Sequence, residues 1–525
     1  MNRRNKSILI FIVAILFFYS CNYPLFHVRE RLRSILPEEA TLKKLPPELV
    51  FTTVLLGGVR GALVNILWLR AQKLQDDGKY FELVQLADWI GLLQPDLPSV
   101  WKFNAWNLSY NISVEFPTGE ERWNWIYQGI KLLRDKGLKY TPDSSEIYKE
   151  LAWIQFHKIT ETLDEFHGYY KRMWAKIIED VFGDITLQEM VSNSSYEELL
   201  KDKNVEAIIS SFKDKQINIV KDWREISKNN FSGLPEEFKK TVETPSFRKL
   251  EAYLRGKTLR EEFKMDPEFM LELEEKYLSL NWKSSAAHSL YWIEEGKRKT
   301  DDMKDLDYYR MVYFSLNHLW KWGNVNIKKI GSEEVLLLSP NFTVVPILND
   351  YYENSIKELE KIGQPTTGIK SSHLYFISDV VVMAYTMNDL SVAQKYFVYL
   401  RDKYPGEVNN LSFPEYVSSK FTENLDFNEA SIPQITGVLY GIMFQSYMAL
   451  AAGEDERYAG LQSLVKSVYK RTSNQVSRFK ILFPSFNDLQ KSGLESSLLL
   501  MPESLALSLR NRLGIREEKP QEKTP

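Results

Sequence analysis

The chain carries a single cysteine, Cys21, in 525 residues. That one count excludes an internal disulfide framework, a cysteine-held metal cluster, covalent haem attachment and a thiol redox pair. Glycine (24) and proline (21) are scarce, which argues against a sandwich of short strands and tight turns and in favour of helices. An excess of charge is missing too: 67 basic against 70 acidic residues leave a formal net charge of −3, which makes no case for nucleic acid as a partner. No glycine-rich loop ends in Lys-Ser or Lys-Thr, and no dinucleotide fingerprint follows a strand. Neither a Gly-x-Ser-x-Gly elbow nor a His-Glu-x-x-His helix occurs. The chain reads as a binding scaffold rather than an enzyme, with no cofactor.

What it does have is aromatic residues, 13% of the chain with 13 tryptophans, against an ordinary background of 44% hydrophobic and 26% charged residues. Large rings bury much area for little rotamer entropy, so they suit cores and binding surfaces alike. The length points to two to four domains or one extended repeat array.

The N-terminus reads as an address. Arg3, Arg4 and Lys6 precede the apolar run Ile8 to Tyr19, the order that sends a chain to the export machinery with its N-terminus kept in the cytoplasm. Three fates stay open. A retained anchor needs about 20 residues and reaches that length only by running past Cys21 to Phe26. A lipoprotein signal is already the right length, and Cys21 behind Phe18-Tyr19-Ser20 is its lipidation site. Simple cleavage releases the body. The expectation is a protein at the bacterial cytoplasmic membrane, held by one N-terminal segment with an extracytoplasmic, periplasmic body. A second apolar stretch, Leu49 to Leu69, contains Gly57 and Gly61 but also Arg60 and Asn65, so it reads as a buried or membrane-adjacent helix rather than a span.

Repeats organise the body. An aromatic residue, an alanine four residues on and then tryptophan recur as Trp101-Ala105-Trp106 and Tyr148-Ala152-Trp153, with Pro95 and Pro142 each six residues ahead. Small residues allow helices to cross closely, aromatics plug the groove beside them, and proline ends a helix. Asp379 to Tyr385 with Ala393 to Pro405, and Gly437 to Ala452 with Tyr458 to Tyr469, read as further helical hairpins. Val325 to Leu338 reads as one short hairpin of strands. The expected class is all-α, with tetratricopeptide-like hairpins stacked as an α-solenoid. Its segments are a signal or anchor over 1–26, helical repeats over 27–183, a charged helical insertion over 184–280, more repeats over 281–510 and a disordered tail over 511–525.

The stretch from Leu55-Leu56-Gly57-Gly58-Val59-Arg60-Gly61 to Ile154, with Trp68-Leu69-Arg70-Ala71, Leu83-Val84-Gln85-Leu86-Ala87-Asp88-Trp89 and Ala105-Trp106-Asn107, resembles a family of membrane-anchored, tetratricopeptide-like proteins of planctomycete, anammox and related bacteria. Asn281-Trp282-Lys283, Ala287-His288 and Tyr291-Trp292 resemble a second block of that family. The resemblance covers about half the chain. It implies a helical-repeat fold and a bacterial source, and it brings no active site.

Candidate binding residues follow from the aromatics and from the arginine inside the second apolar stretch. Seven of the 13 tryptophans lie between Trp68 and Trp153. Trp101, Trp106, Trp123, Trp125 and Tyr127 either plug grooves between short helices or form a platform for a peptide, glycan or lipid. Arg60 either forms a structural ion pair with a neighbouring hairpin or binds a lipid headgroup or an acidic partner helix at the membrane surface. His157, Glu161, Glu165 and His167 are the nearest approach to a metal site but match no metal motif. Asp88 and Glu82 are the nearest to a glycosidase pair, among 70 acidic residues. The partners expected are proteins. A glycan- or lipid-binding protein is the alternative, and a glycan-processing enzyme the more distant one.

Overall fold

A computed structural model describes residues 59–515, except 228–230, 232–233, 279, 301–305, 331–332, 362, 364, 424–431 and 478–482. The described residues are helical apart from one antiparallel pair, β1 (Asn324–Ile330) and β2 (Glu333–Ser339), in which Val325 faces Leu338 and Ile327 faces Leu336. They fall into two compact units, one within Met1–Leu151 and Glu295–Met303, the other within Ala152–Glu294 and Lys304–Pro525.

In the first unit α1 (Val59–Asp76) pairs with α2 (Tyr80–Leu93), followed by α3 (Pro98–Trp106), α4 (Gly119–Lys131) and α5 (Ser145–Trp153). Val64, Ala71, Leu74, Leu83, Leu86, Ile90 and Val100 form its first core cluster. Four helices among the described residues end in π-helical turns, Asn107–Ile112 after α3 and Leu132–Gly137 after α4 in this unit, and Ile154–Thr160 and Leu259–Phe263 in the second. The wider turn shifts the side-chain register at the point where each helix must hand over to the next.

The second unit begins with α6 (His167–Phe182). The charged segment then builds a core of its own from Val205, Phe212, Trp223, Phe238, Phe247 and Leu250. It spans α7 (Leu187–Ser192), α8 (Lys203–Asp214), α9 (Glu236–Val242), α10 (Pro245–Thr258) and α11 (Pro267–Tyr277). Buried Arg255 ties it to the end of α6: its guanidinium donates to the carbonyls of Asp180 and Val181, both at 2.9 Å, and pairs with Glu251 at 2.7 Å. Orphan carbonyls at a helix C-terminus favour a cation there. Then come α12 (Ser285–Lys299), α13 (Leu306–Trp322), the strand pair, α14 (Val345–Lys361), α15 (Thr367–Thr386), α16 (Leu390–Lys403), α17 (Phe413–Thr422), α18 (Ile432–Ala452), α19 (Asp455–Ser477), α20 (Phe486–Leu500) and α21 (Glu503–Leu513).

Three hairpins turn in the same way. Between α1 and α2, α15 and α16, and α18 and α19, one residue takes a left-handed conformation: Gly78 (φ 70°), Asn388 (φ 61°) and Gly453 (φ 79°). The next amide in each case closes a bond five residues back, Lys79 to Leu74, Asp389 to Ala384 and Glu454 to Ala449, at 2.8–2.9 Å. This is the Schellman closure, which satisfies the carbonyls left over at a helix end. Second helices stop alike as well. Gln94 (φ −134°, ψ 62°), Thr141 (−133°, 62°) and Tyr404 (−130°, 63°) each precede a proline, which bars the helical region to the residue before it.

The six-residue proline–aromatic spacing corresponds to a hydrogen bond. Trp101 Nε1 donates to Pro95 O at 2.7 Å, and Tyr148 Oη donates to Pro142 O at 3.0 Å. Both donors occupy the fourth position of their helix and reach back to the third residue before its first. Arg122 in α4 does the same to Phe116 O (2.6 Å), and His288 in α12 to Trp282 O (2.8 Å). Tyr170 in α6 bonds the side chain of Asp164 from the same position (3.1 Å).

No helix among the described residues is long and apolar enough to cross a membrane. That overturns the expectation of a membrane-spanning N-terminal anchor and the membrane localisation built on it. The second apolar stretch enters α1, and α1 runs on through Arg70, Gln72, Lys73, Gln75 and Asp76, which ends its apolar length. The run Ile8 to Tyr19, Cys21 and the tail from Arg516 lie outside the described residues.

The back-reaching bond can be tested without altering packing. Tyr148→Phe removes the bond to the Pro142 carbonyl, so the midpoint of denaturant unfolding falls, with the slope unchanged, for a loss of about 0.5–1.5 kcal/mol. Tyr127→Phe removes a hydroxyl with no partner among the described residues and stays within about 0.5 kcal/mol.

Candidate functional site

The first unit divides the sequence candidates between interior and surface. Trp101 is buried, stacked on Tyr140 at 5.5 Å and seated against Gly91, where a Cβ would lie 2.9 Å from the indole ring. Trp123 is buried and stacked on Tyr127 at 5.7 Å. Trp106 is partly exposed and stacks on Tyr110 at 6.0 Å. Trp125 belongs to a surface trio with Phe81 (5.6 Å) and Phe116 (5.9 Å), in which Phe81 is 55% exposed. Arg60 lies in the first turn of α1, and its side chain is not among the described ones.

Other candidates are dispersed. The His157 ring stacks on Trp153 at 4.5 Å, whereas His167 Nδ1 meets Lys171 Nζ at 2.9 Å. Among the described residues no three His, Cys, Asp or Glu side chains gather where they could hold a metal ion. Asp88 lies 3.7 Å from Lys136, and Glu82 is exposed on α2.

The second unit contains a cleft that the sequence reading missed, about 750 Å³ in volume. Helix α13 presents Tyr309, Arg310, Tyr313 and Phe314 to it, α14 presents Tyr351, Tyr352, Ser355 and Glu358, and the start of α15 adds Pro365, Ile369 and Ser372. On each helix these positions recur at steps of three and four, so each contributes one face. The aromatic doublets Tyr308-Tyr309, Tyr313-Phe314 and Tyr351-Tyr352 were the available signal.

Neighbouring residues hold these rings in place. Tyr308 turns inward, where it and Tyr277 donate to Glu294 Oε1 at 3.1 and 2.5 Å, while Lys276 lies 3.1 Å from Glu294 Oε2. Burial, then the Glu294 charge, push both phenols well above their ordinary range, so they remain donors. With α13 fixed by its inward tyrosine, Tyr309 faces outward, 44% exposed. Tyr351 Oη donates to Tyr309 O at 3.0 Å and ties α14 to α13. Tyr352 is buried against His373 (5.0 Å) and Phe376 (5.5 Å). Tyr404 Oη and Asn349 Oδ1 lie 2.9 Å from the two nitrogens of His373, and burial lowers that ring to about 4. The cleft wall is thus rigid, apolar and edged with hydroxyls, with one guanidinium and one carboxylate at its exposed margin.

Compared with known protein families, curated proteins and solved structures, the chain matches none. The family resemblance of the first 154 residues finds no counterpart there.

A displaced carboxylate pKa often marks a reacting acid, and Glu150 has one. Burial to 6% exposure raises it to about 6, partly opposed by Lys102 at 4.0 Å. Glu150 lines none of the clefts described and its Oε1 has no hydrogen-bond partner among the described residues, so the cost falls on stability. The folded state holds its proton more tightly than the unfolded state, whose value is near 4.5. The contribution of Glu150 to stability therefore falls as pH rises from 4.5 to 6, by about 2 kcal/mol at most. Glu150→Gln abolishes that fall and is the more stable protein at pH 7, as thermal unfolding across this pH range will read.

Proposed function

We propose that the protein is a non-catalytic helical-repeat scaffold that binds a segment of a partner protein in the tyrosine-lined cleft between α13, α14 and α15. The observation that carries this is the cleft's composition. Five aromatic rings, Tyr309, Tyr313, Phe314, Tyr351 and Tyr352, face one space of about 750 Å³. Tyrosine joins large contact area to a polar tip and is enriched where binding energy concentrates. A tetratricopeptide-like α-solenoid is supported by the shared Schellman turns, the matched helix stops before proline and the recurring fourth-position hydrogen bond. Stacked hairpins of that kind create elongated grooves suited to peptide segments.

A second reading concerns the trio Phe81, Phe116 and Trp125, one exposed and two half-buried rings that suit a glycan or a lipid chain.

A displayed peptide library selected on the full-length protein separates the two. Selected peptides bind the wild-type chain, and Tyr309→Ala with Tyr313→Ala weakens them by at least about 30-fold, a loss of about 2 kcal/mol. Trp125→Ala leaves them unaffected. Peptides insensitive to the tyrosine pair, or a library that yields no binder, overturn the cleft as the site. A glycan array retained by wild type and lost in Trp125→Ala promotes the second reading.

A further inference from the structure

We propose that the tyrosine cleft is one end of a longer groove, filled by a single extended segment of a partner protein. That segment carries a basic residue at the tyrosine end and a cluster of apolar residues about six positions away. The inference rests on the tyrosine cleft being a peptide site, and it names what the peptide must be.

The second unit has another cleft, about 550 Å³ in volume, along the same two helices. On α15, Ile369 and Ser372 line the first cleft, and Tyr375, Asp379 and Met383 line the second. These positions advance by steps of three and four, so they form one stripe. Ser372 and Tyr375, where the clefts meet, are one turn apart, and Tyr375 is 69% exposed. Helix α13 repeats the arrangement, with Arg310 and Phe314 on the first cleft and Lys321 on the second, at steps of four and seven. Unrelated hollows have no reason to share a face on both helices, whereas a groove that follows the helices must. From Ile369 to Met383 the rise along α15 is about 21 Å, which an extended chain covers with about six residues.

Charge assigns the two ends. In the second cleft each charged side chain of the lining already has a partner: Lys321 meets Asp379 at 2.6 Å, Lys420 meets Glu423 at 3.4 Å, and Arg457 meets Glu454 at 2.9 Å. What that end leaves open to a guest is apolar, from Trp322, Met383, Met387 and Phe421, and methionine adapts its shape to what it binds. At the tyrosine end Arg310 has Asp307 beside it at 3.8 Å, whereas Glu358 has no ion-pair partner among the described residues. A cation entering there meets an unneutralised carboxylate and several tyrosine rings, and both attract it.

Peptides selected on the full-length protein, from a displayed library long enough to reach both clefts, test this. They share a lysine or arginine and, about six residues away, an apolar cluster. Glu358→Gln and Tyr375→Ala each weaken them by about 10-fold or more, with the unfolding midpoint of the protein unchanged. Trimming the apolar end of a peptide removes its sensitivity to Tyr375→Ala and keeps its sensitivity to Tyr309→Ala. Peptides that need Tyr309 and Tyr313 but ignore Tyr375→Ala overturn the long groove and leave the cleft as a peptide site. Peptides that ignore the tyrosine pair overturn both. Peptides without a basic residue, or indifferent to Glu358→Gln, overturn the proposal. So does self-association of the chain that Tyr375→Ala abolishes, which makes a second copy the occupant.

Discussion

The interaction on which much of this fold depends is a hydrogen bond from the fourth residue of a helix to the backbone entering it. A chain that arrives from a loop leaves its carbonyls facing the same interior that the helix is about to fill. Where the donor is Trp101, Tyr148 or His288, one buried ring removes apolar area from water and satisfies such a carbonyl. The two tasks fix each other. The indole of Trp101 cannot leave the groove beside Gly91 without stranding Pro95 O, and the entering chain cannot swing away without orphaning the indole N–H. Different donors occupy the same place, so what repeats is a geometric requirement rather than a residue.

Helix exits are constrained as firmly as entries. The left-handed residues Gly78, Asn388 and Gly453 turn one helix back along its neighbour, and the residue before Pro95, Pro142 or Pro405 ends the second helix with the same backbone angles. With both ends set, the direction of the next helix follows. The tyrosine cleft shows the consequence. Tyr308 and Tyr309 are adjacent in sequence, yet Tyr308 is fastened inward to Glu294 and its neighbour is left to the solvent side. An interior hydrogen bond thereby decides which aromatic ring faces the cleft.

Much of the local structure was legible in the sequence because its causes are local. The hairpins around Asn388 and Gly453 announce themselves by a turn residue between apolar stretches of helical period. Alternation around Gly331 announced the strand pair. The proline-to-aromatic spacing of six was visible as a pattern, although its meaning as a hydrogen bond was not, since spacing alone cannot show where a side chain points. The cleft was not legible for a different reason. Its walls come from helices starting at Leu306, Val345 and Thr367, and each tyrosine doublet alone looks like any amphipathic helix. The tryptophans drew attention instead because they are rarer. Trp101 and Trp123 proved to be interior, whereas Trp89 and Phe81, neither of them singled out in the sequence, are the more exposed rings of that region.

Three buried histidines are held neutral by their surroundings. Burial lowers His288 and His373 to about 4 and His318 to about 3. Each folded-state value lies below the ordinary 6.5, so protons go first to the unfolded chain and stability drains away as pH falls below 6.5. At neutral pH all three are uncharged. His373 has both nitrogens engaged, and His288 uses one to hold the entry of α12. Such rings act as shaped, weakly polar core residues, and none faces the tyrosine cleft. A proton-transfer role would need an imidazole that titrates near neutrality and reaches a bound molecule. The cleft itself presents hydroxyls, Arg310 and Glu358.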